Sequence, residues 1–223
     1  MIRQIAQILV VAAAVAAPLV VAIPAAANPD IDRAKQFITD GVLRTAKILR
    51  QHDRTRAEIA DDLRVEFRRG FDVPTIANFV LGPVRDKLSA EQKRLYMREF
   101  EELIVQTYTN RVIYFGPRVK SDISDIIRFT SHRMVKKDQI ILRSQINREG
   151  ADWVKINWRL RERDGRLAII DITLLGISQA QLYRSEIAAV IKRNGRGADG
   201  LIDALRAKTA EIRKGKVTRA SSP

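Results

Sequence analysis

The sequence predicts an α+β fold, with helices packed on one face of an antiparallel sheet of four strands. From residue 154 to residue 160 apolar side chains occupy every second position and polar ones lie between them, which is typical of a half-buried strand. The dipeptide Asp164-Gly165 favours a tight hairpin, since both residues tolerate positive φ. Before and after this region, apolar residues recur every three or four positions, as in amphipathic helices. Helices that flank a meander of strands are typical of α+β proteins.

Residues 1–27 are predicted to be a secretory signal peptide. Arg3 precedes an apolar run at residues 8–21, and Ala25-Ala26-Ala27 forms a small-residue cleavage site before Asn28. An uncleaved membrane anchor is the alternative, because the apolar segment is nearly long enough to span a bilayer. Two prolines and the alanine ending favour cleavage. Export follows under either interpretation.

Four helices are predicted ahead of the sheet. Their periodicity places them at residues 30–51, from Asp53 or Thr55 to Gly70, at residues 74–81 and at residues 90–115. Ser89 and Gln92 form a capping box at the start of the fourth helix. This helix would be about 39 Å long at 1.5 Å per residue, and a strand at residues 152–162 would reach roughly 36 Å. A helix and a sheet of similar reach can enclose a long, narrow space.

The strands and the C-terminal helices follow in the second half of the chain. The predicted strands lie at residues 120–129, 134–147, 152–162 and 167–175. Gly176 ends the last strand, and Ser178 with Gln181 forms a capping box for a helix at residues 179–194. Asp199 is predicted to cap a final helix. Residues 214–223 are predicted to be a basic disordered tail, so the domain spans residues 28–213.

The composition excludes several classes of site. The chain has no cysteine, which rules out disulfides, thiolate metal sites and cysteine nucleophiles. Two histidines are too few for a histidine-rich zinc site, and no metal or cofactor is expected. The formal net charge of +14 falls to +13 without residues 1–27, which contain one arginine and no acidic residue. In an exported protein this charge favours anionic lipid head groups and acidic partner surfaces over nucleic acid, and a solvated basic surface is the alternative.

Three stretches resemble the toluene-tolerance family of periplasmic phospholipid-binding proteins. Residues 171–187, DITLLGISQAQLYRSEI, are similar to its strand-to-helix signature. Two earlier stretches agree in order and spacing: FDVPTIANFVLG at residues 71–82, and LSAEQKR at residues 88–94, followed by Phe100, Leu103 and Tyr108. The likeness covers residues 30–208. It implies a nuclear-transport-factor-like cone, in which a curved sheet wraps helices around an apolar cavity.

The resemblance also affects how the apolar faces are interpreted. Periodicity alone favours a solid core, whereas the family implies a cavity that holds acyl chains. The candidate lipid-binding residues are Trp158, Leu160, Ile170, Ile172 and Leu174 on the sheet, with Val80, Phe100, Ile104, Tyr108 and Ile177 opposite them. Arg159 and Arg184 are candidates for contact with a head-group phosphate or with a partner.

The family likeness implies a periplasmic phospholipid carrier without cofactor. Such a protein sequesters lipid tails and shuttles the lipid between membrane complexes, which maintains the lipid asymmetry of the outer membrane. The implied partners are an inner-membrane transporter with an MCE ring and an outer-membrane lipoprotein complex. Since the family also contains proteins linked to hopanoids, a hopanoid-associated protein is the alternative.

A cavity enzyme of the isomerase type is a further alternative. Asp171, together with Tyr108 or Tyr183, would imitate the carboxylate and phenol of such enzymes. Asp171 alternates away from the apolar residues of its strand, however, so we expect it on the solvated or capping side. Ser178 is disfavoured as a nucleophile, because no Gly-x-Ser-x-Gly elbow surrounds it and a capping role explains it. The sequence therefore favours a binding protein over an enzyme.

Overall fold

The computed structural model describes residues 30–51, 53–115, 126–148 and 151–214. The described helices are α1 (Ile31–Leu49), α2 (Arg56–Gly70), α3 (Val73–Leu81), a 3-10 helix (Gly82–Lys87), α4 (Ala90–Phe115), α5 (Gln179–Asn194) and α6 (Gly197–Arg213). The strands are β1 (Ile127–Lys136), β2 (Gln139–Arg148), β3 (Ala151–Arg163), β4 (Arg166–Leu174) and β5 (Ile177–Ser178). The predicted signal peptide, residues 120–125 and all but the first residue of the predicted tail lie outside the described ranges.

Side-chain caps hold the helix starts in the first half of the chain, and the one at Ser89 and Gln92 is the predicted capping box. The Asp30 carboxylate accepts a hydrogen bond of 2.8 Å from the Asp32 backbone N–H at the start of α1. Thr55 and Glu58 form a reciprocal capping box at α2, and Ser89 and Gln92 form another at α4, with both hydrogen bonds at 3.1 Å. Side-chain caps of this kind satisfy N–H groups that have no partner within the helix.

The final helix begins differently from the prediction. α6 starts at Gly197, and its N-cap position is Arg196, whose side chain makes no capping hydrogen bond. Asp199, predicted as the cap, lies within the first turn, where its carboxylate accepts a 3.0 Å hydrogen bond from the Gln92 side chain. Asp199 therefore ties α6 to the start of α4.

The five strands form one antiparallel sheet in chain order, from β1 to β5. Asp164 and Gly165 adopt φ values of 52° and 73° in the turn between β3 and β4, as the hairpin signal predicts. Irregularities in the register interrupt β1, the end of β2 and β4. Such bulges bend and twist strands, which is consistent with the predicted curvature.

The predicted strand count and the first two strand boundaries need correction. The sheet has five strands, because Ile177 and Ser178 pair with the end of β4 as a two-residue strand too short for periodicity to indicate. The first turn lies at Lys137-Asp138, so Met134 belongs to β1 and not to β2. Most side chains of β1 are exposed, so this strand lacks the apolar alternation on which the prediction depended.

Helices cover one face of the sheet and create two apolar cores. In the first, helices α2 to α6 pack against one another around Tyr96 and Phe100, both fully buried. In the second, α1 packs on the sheet through Ala34 and Ile38, which contact the inner face at residues such as Leu160. Within the described ranges, no helix combines the length and the apolar character needed to cross a bilayer. The α+β fold with helices on one face is confirmed.

Candidate functional site

An apolar cavity of about 660 Å³ lies between the two cores. Pockets that hold small molecules usually have volumes of roughly 300–1,000 Å³. Side chains of α1, α2, α4 and the inner face of the sheet form most of its wall, namely Phe37, Ile38, Val42, Ala46, Leu49, Phe67, Phe71, Ile104, Tyr108, Val112, Ile146, Val154, Ile156, Trp158, Ile169, Ile172 and Leu174. The wall is therefore suited to hydrocarbon.

The cavity is closed at one end and open at the other. On β4, Ile169 is buried at the closed end, and the wall continues along the strand to Leu174 and then to Leu175 just beyond it, which is 74% exposed. On α4, the wall runs in the same direction from buried Ile104 to partly exposed Arg111 and Val112. The mouth therefore lies beside the end of β4 and the later turns of α4.

A cluster of three aromatic rings forms the wall where the two cores meet. The rings of Phe67 and Phe71 stack with centroids 4.1 Å apart, and the Tyr108 ring lies 4.8 Å from Phe67. Phe71 also pairs with Ile169 of β4 in an isolated bridge, and the Asp72 N–H donates to the Ile169 carbonyl at 3.0 Å. These contacts join the α2–α3 connection to the sheet and fix this part of the wall.

Polar side chains are few along the cavity wall. Burial raises the pKa of the Tyr108 phenol, an effect that its hydrogen bond with Thr45 opposes. Burial likewise raises the pKa of Tyr183, which the positive charge of Arg111 opposes. Both phenols are therefore neutral at physiological pH.

Two arginines line the cavity, and their surroundings differ. The Arg44 guanidinium donates to the Glu66 carboxylate at 2.7 Å, and Glu66 also accepts from Arg69 at 2.7 Å. Arg111 donates to the neutral side-chain oxygen of Gln179 at 3.2 Å. In the part of the chain that the structure describes, no carboxylate oxygen lies within 4.0 Å of the Arg111 side-chain nitrogens. Arg44 is thus neutralised, whereas Arg111 has no carboxylate partner among the described residues.

Trp158, opposite Ile172 in the cavity wall, is held by a hydrogen bond to a buried serine. Its indole N–H donates to the Ser144 hydroxyl on the neighbouring strand at 2.8 Å, and this hydroxyl donates to the Ile156 carbonyl at 3.2 Å. Sequence alternation identifies Trp158 as inward-facing but gives no sign of this partner. The pair holds the ring in one orientation against the cavity.

Replacement of Ser144 by alanine is expected to destabilise the protein by about 1–3 kcal/mol, because the buried indole N–H loses its acceptor. Urea unfolding of the variant measures this change. Ser131→Ala, which alters an exposed serine on β1, is the control and should change stability by less than about 0.5 kcal/mol. Equal stability of Ser144→Ala and the unmodified protein would contradict the assigned role of the hydrogen bond.

Half of the predicted lipid-binding residues line the cavity. These are Ile104, Tyr108, Trp158, Ile172 and Leu174. The structure brings them together from α4, β3 and β4 in the way that the sequence predicts. Their contact with lipid stays a prediction.

The other five predicted residues lie elsewhere. Val80 and Phe100 are buried in the helical core, and Leu160 is buried between α1 and the sheet. Ile177 is 56% exposed on β5. Ile170 is the extra residue of a bulge, since Arg159 pairs with Asp171 while Leu160 pairs with Ile169. The bulge changes the alternation, so Ile169 takes the inward position that the sequence pattern assigns to Ile170.

Neither predicted head-group arginine is among the cavity-lining residues. Arg159 lies beside the inward-facing Trp158 on β3, and its guanidinium donates to the Gln139 side chain at 2.8 and 3.1 Å. Arg184 donates to the Phe79 carbonyl at 3.1 Å and lies 5.0 Å from the centre of the Phe79 ring. A side chain at Gly82 would come within 3.0 Å of Arg184. Arg184 therefore joins α5 to α3.

The Asp171 carboxylate caps the start of α5. The sequence analysis expects this residue on the solvated or capping side of its strand, and the structure shows the capping role. Its carboxylate accepts from the Ser178 hydroxyl at 2.6 Å and from the Ala180 N–H at 3.0 Å, one bond to each oxygen. Ser178 in turn accepts from the Gln181 N–H at 3.1 Å, which confirms its capping role. Asp171 and Ser178, which the sequence analysis weighs for catalysis and disfavours, are thus engaged at the start of α5, although Asp171 also lines the cavity.

Sequence analysis missed the contribution of α1 and of the α2–α3 connection. Phe37, Val42 and Leu49 of α1 line the cavity, as does Phe71. The amphipathic periodicity of α1 was the available signal, because it predicts that the helix covers something apolar. It does not say whether that surface is a core or a cavity.

Residues 39–207 match the profile of the family described as MlaC protein. The match spans well over half of the chain and includes the cavity-lining strands and helices, except for the first part of α1. The chain belongs to the MlaC protein family. The resemblance of its motifs to phospholipid-binding proteins is therefore confirmed at the level of family.

A solved structure similar to this MlaC-family chain is a phospholipid-binding protein from Ralstonia solanacearum in complex with a phospholipid. The TM-score is 0.67 and the sequence identity is 17%, over 81% of this chain and 98% of the Ralstonia chain. At this identity the likeness shows that the two proteins share a fold. A comparison with curated proteins gave no match.

Proposed function

We propose that this MlaC-family protein is a periplasmic phospholipid carrier that holds acyl chains in the apolar cavity. The observation that carries the proposal is a cavity of about 660 Å³ with hydrocarbon walls and one open end. The family supports lipid binding, and so does the complex of the similar Ralstonia protein with a phospholipid. A pocket of this shape would take the tails inward and leave the head group at the mouth.

The apolar wall is needed because a carrier has to compete with the bilayer. Two acyl chains of fifteen methylenes each gain roughly 24 kcal/mol on leaving water, at about 0.8 kcal/mol per methylene. Lipid therefore enters the protein only if the cavity offers nearly the same environment. A wall made mostly of aromatic and aliphatic side chains, in which the Glu66 and Asp171 carboxylates already accept hydrogen bonds, meets this need.

In this proposal the protein shuttles lipid without chemical change, and so contributes to outer-membrane lipid asymmetry. Its partners would be an inner-membrane transporter with an MCE ring and an outer-membrane lipoprotein complex. Binding without catalysis agrees with the capping role of Asp171, whose two oxygens already accept hydrogen bonds from Ser178 and Ala180. The signal peptide predicted at residues 1–27 would deliver the protein to the periplasm.

Solvent extraction of the purified protein, followed by lipid mass spectrometry, tests the proposal. The protein is produced from Asn28 onward and analysed as isolated and after incubation with liposomes. We expect close to one phospholipid per protein. Hopanoid in place of phospholipid would assign the protein to the hopanoid-associated alternative. An extract without lipid in both conditions would refute the carrier function.

A further inference from the structure

We propose that Arg111 binds the phosphate of the loaded lipid at the cavity mouth and thereby selects phosphate-bearing lipids over uncharged lipids with the same chains. The inference rests on the proposed carrier function, since it concerns the same cavity. It adds a head-group subsite, with a named residue and a class of ligand. Neither arginine suggested by the sequence occupies this position.

The position of Arg111 follows from the face of α4 that lines the cavity. Ile104, Thr107, Tyr108 and Arg111 recur at three- and four-residue intervals and all line the wall. Arg111 is seven residues beyond Ile104, which places it about 10 Å further along the helix, at 1.5 Å per residue. Acyl chains beside Ile104 and Tyr108 would therefore put the attached head group near Arg111.

Two acidic residues on the outward side of α4 form ion pairs with arginines other than Arg111. Glu101 accepts from Arg68 at 2.7 Å, and Glu102 accepts from Arg213 at 2.6 Å. These pairs join α4 to α2 and α6 and leave the cavity-facing side of the helix with Arg111 as its cation. Within the described ranges, these acidic residues of α4 therefore leave the charge of Arg111 available to a ligand.

The two acidic residues of the cavity wall are also engaged. Glu66 is held by Arg44 and Arg69, and Asp171 accepts hydrogen bonds at the start of α5. Neither forms an ion pair with Arg111. Among the described residues, Arg111 donates a hydrogen bond to the neutral Gln179 side chain and forms no ion pair, so within those ranges its guanidinium keeps N–H donors for a further acceptor.

A phosphate diester suits such a guanidinium. Arginine can donate two parallel hydrogen bonds to a phosphate, and charge-assisted bonds of this kind are stronger than bonds between neutral groups. Lipid tails in the cavity would exclude water from one side of the pair and strengthen it. An uncharged glycerolipid offers no anion and would leave Arg111 without this partner.

Competition between two lipids with identical chains tests the inference. The delipidated protein is offered palmitoyl-oleoyl phosphatidylglycerol and palmitoyl-oleoyl glycerol at equal concentration in neutral vesicles, and the bound lipids are extracted and counted. We expect the unmodified protein to prefer the phospholipid by about 10-fold or more, the effect of one charge-assisted hydrogen bond. Arg111→Gln should bind both lipids with a ratio near one.

Two further variants make the result decisive. Arg143→Gln alters an exposed arginine that pairs with the Ser131 hydroxyl on β1, away from the cavity, and should keep the preference of the unmodified protein. Arg111→Met keeps the apolar stem of the side chain and is used in parallel with Arg111→Gln. Thermal melting identifies the variants that fold.

Three outcomes of this competition would contradict the head-group subsite, the carrier function or the specific role of Arg111. An unchanged lipid ratio in either folded Arg111 variant would overturn the head-group subsite while leaving the carrier function intact. Absence of both lipids from the unmodified protein would refute the carrier function itself. Loss of preference in Arg143→Gln as well would show that the preference comes from the general basic charge of the surface and not from Arg111.

Discussion

Replacement of Ile172 by aspartate is expected to abolish lipid loading while the protein stays folded. Ile172 lies on the inner face of β4 in the middle of the cavity wall and is only partly buried. In the lipid-free protein, water in the cavity can solvate the new carboxylate. Acyl chains would displace that water, and removing it from a charge costs several kcal/mol. We therefore expect at least a roughly 100-fold loss of affinity, since 1.4 kcal/mol corresponds to tenfold.

The adjacent residue provides the control for this prediction. Thr173 lies on the same strand but is not among the cavity-lining residues. Thr173→Asp introduces the same charge one residue away, so it should keep close to normal lipid content. Lipid phosphorus per protein, measured after incubation with liposomes, reports the difference. Normal loading of Ile172→Asp would contradict the assignment of the cavity as the lipid site.

Replacement of Phe100 by alanine is expected to have the opposite pattern, with lower stability and normal lipid binding. Phe100 is fully buried in the helical core, where its ring lies 5.6 Å from that of Tyr96 and 6.4 Å from that of Tyr183. Its removal leaves a void and should reduce the free energy of unfolding by about 3–5 kcal/mol. Urea unfolding measures this loss, and the melting temperature should fall by roughly 10 °C.

Ile104→Ala distinguishes the core from the cavity wall. Ile104 lies one turn further along α4 and lines the cavity, so part of the removed side chain faces space that is already open. We expect Ile104→Ala to lose less stability than Phe100→Ala and to bind lipid with lower affinity than the unmodified protein. If Phe100→Ala lost lipid under conditions in which it is fully folded, the separation between helical core and lipid site would be wrong.

The parts of the fold that depend on local chemistry could be predicted from the sequence. Capping boxes at Thr55 and Ser89 determine where α2 and α4 begin, and Asp164-Gly165 determines the β3–β4 turn. These signals involve residues close together in the chain. They are visible without knowledge of what packs against them.

The parts that depend on the tertiary environment could not be predicted. The bulge that carries Ile170 arises where β4 pairs with β3, and it moves the inward position to Ile169. β1 has mostly exposed side chains, so the alternation that identifies β3 is missing there. In both cases the side-chain pattern depends on how one strand pairs with its neighbour. Sequence periodicity describes each strand alone and carries no information on that pairing.

The candidate site likewise contains some residues that the sequence identifies and others that only the tertiary structure identifies. Inward alternation on β3 and β4 correctly indicates Trp158 and Ile172 as cavity-facing. It does not distinguish a buried core residue such as Leu160 from a residue that lines open space. Whether an arginine faces a carboxylate or a cavity is also decided by distant residues, which is why Arg111 was not found from the sequence.

The edge of the sheet has a consequence for how the protein behaves at high concentration. β1 is an edge strand of the sheet, so one side of its backbone has no strand partner within the described ranges. The unpaired backbone groups of a ten-residue edge strand could pair with the edge strand of a second molecule and so begin aggregation into a fibre. Two bulges and the basic side chains of Arg133 and Lys136 interrupt this edge. They discourage stacking by geometry and by mutual repulsion, which favours separate molecules.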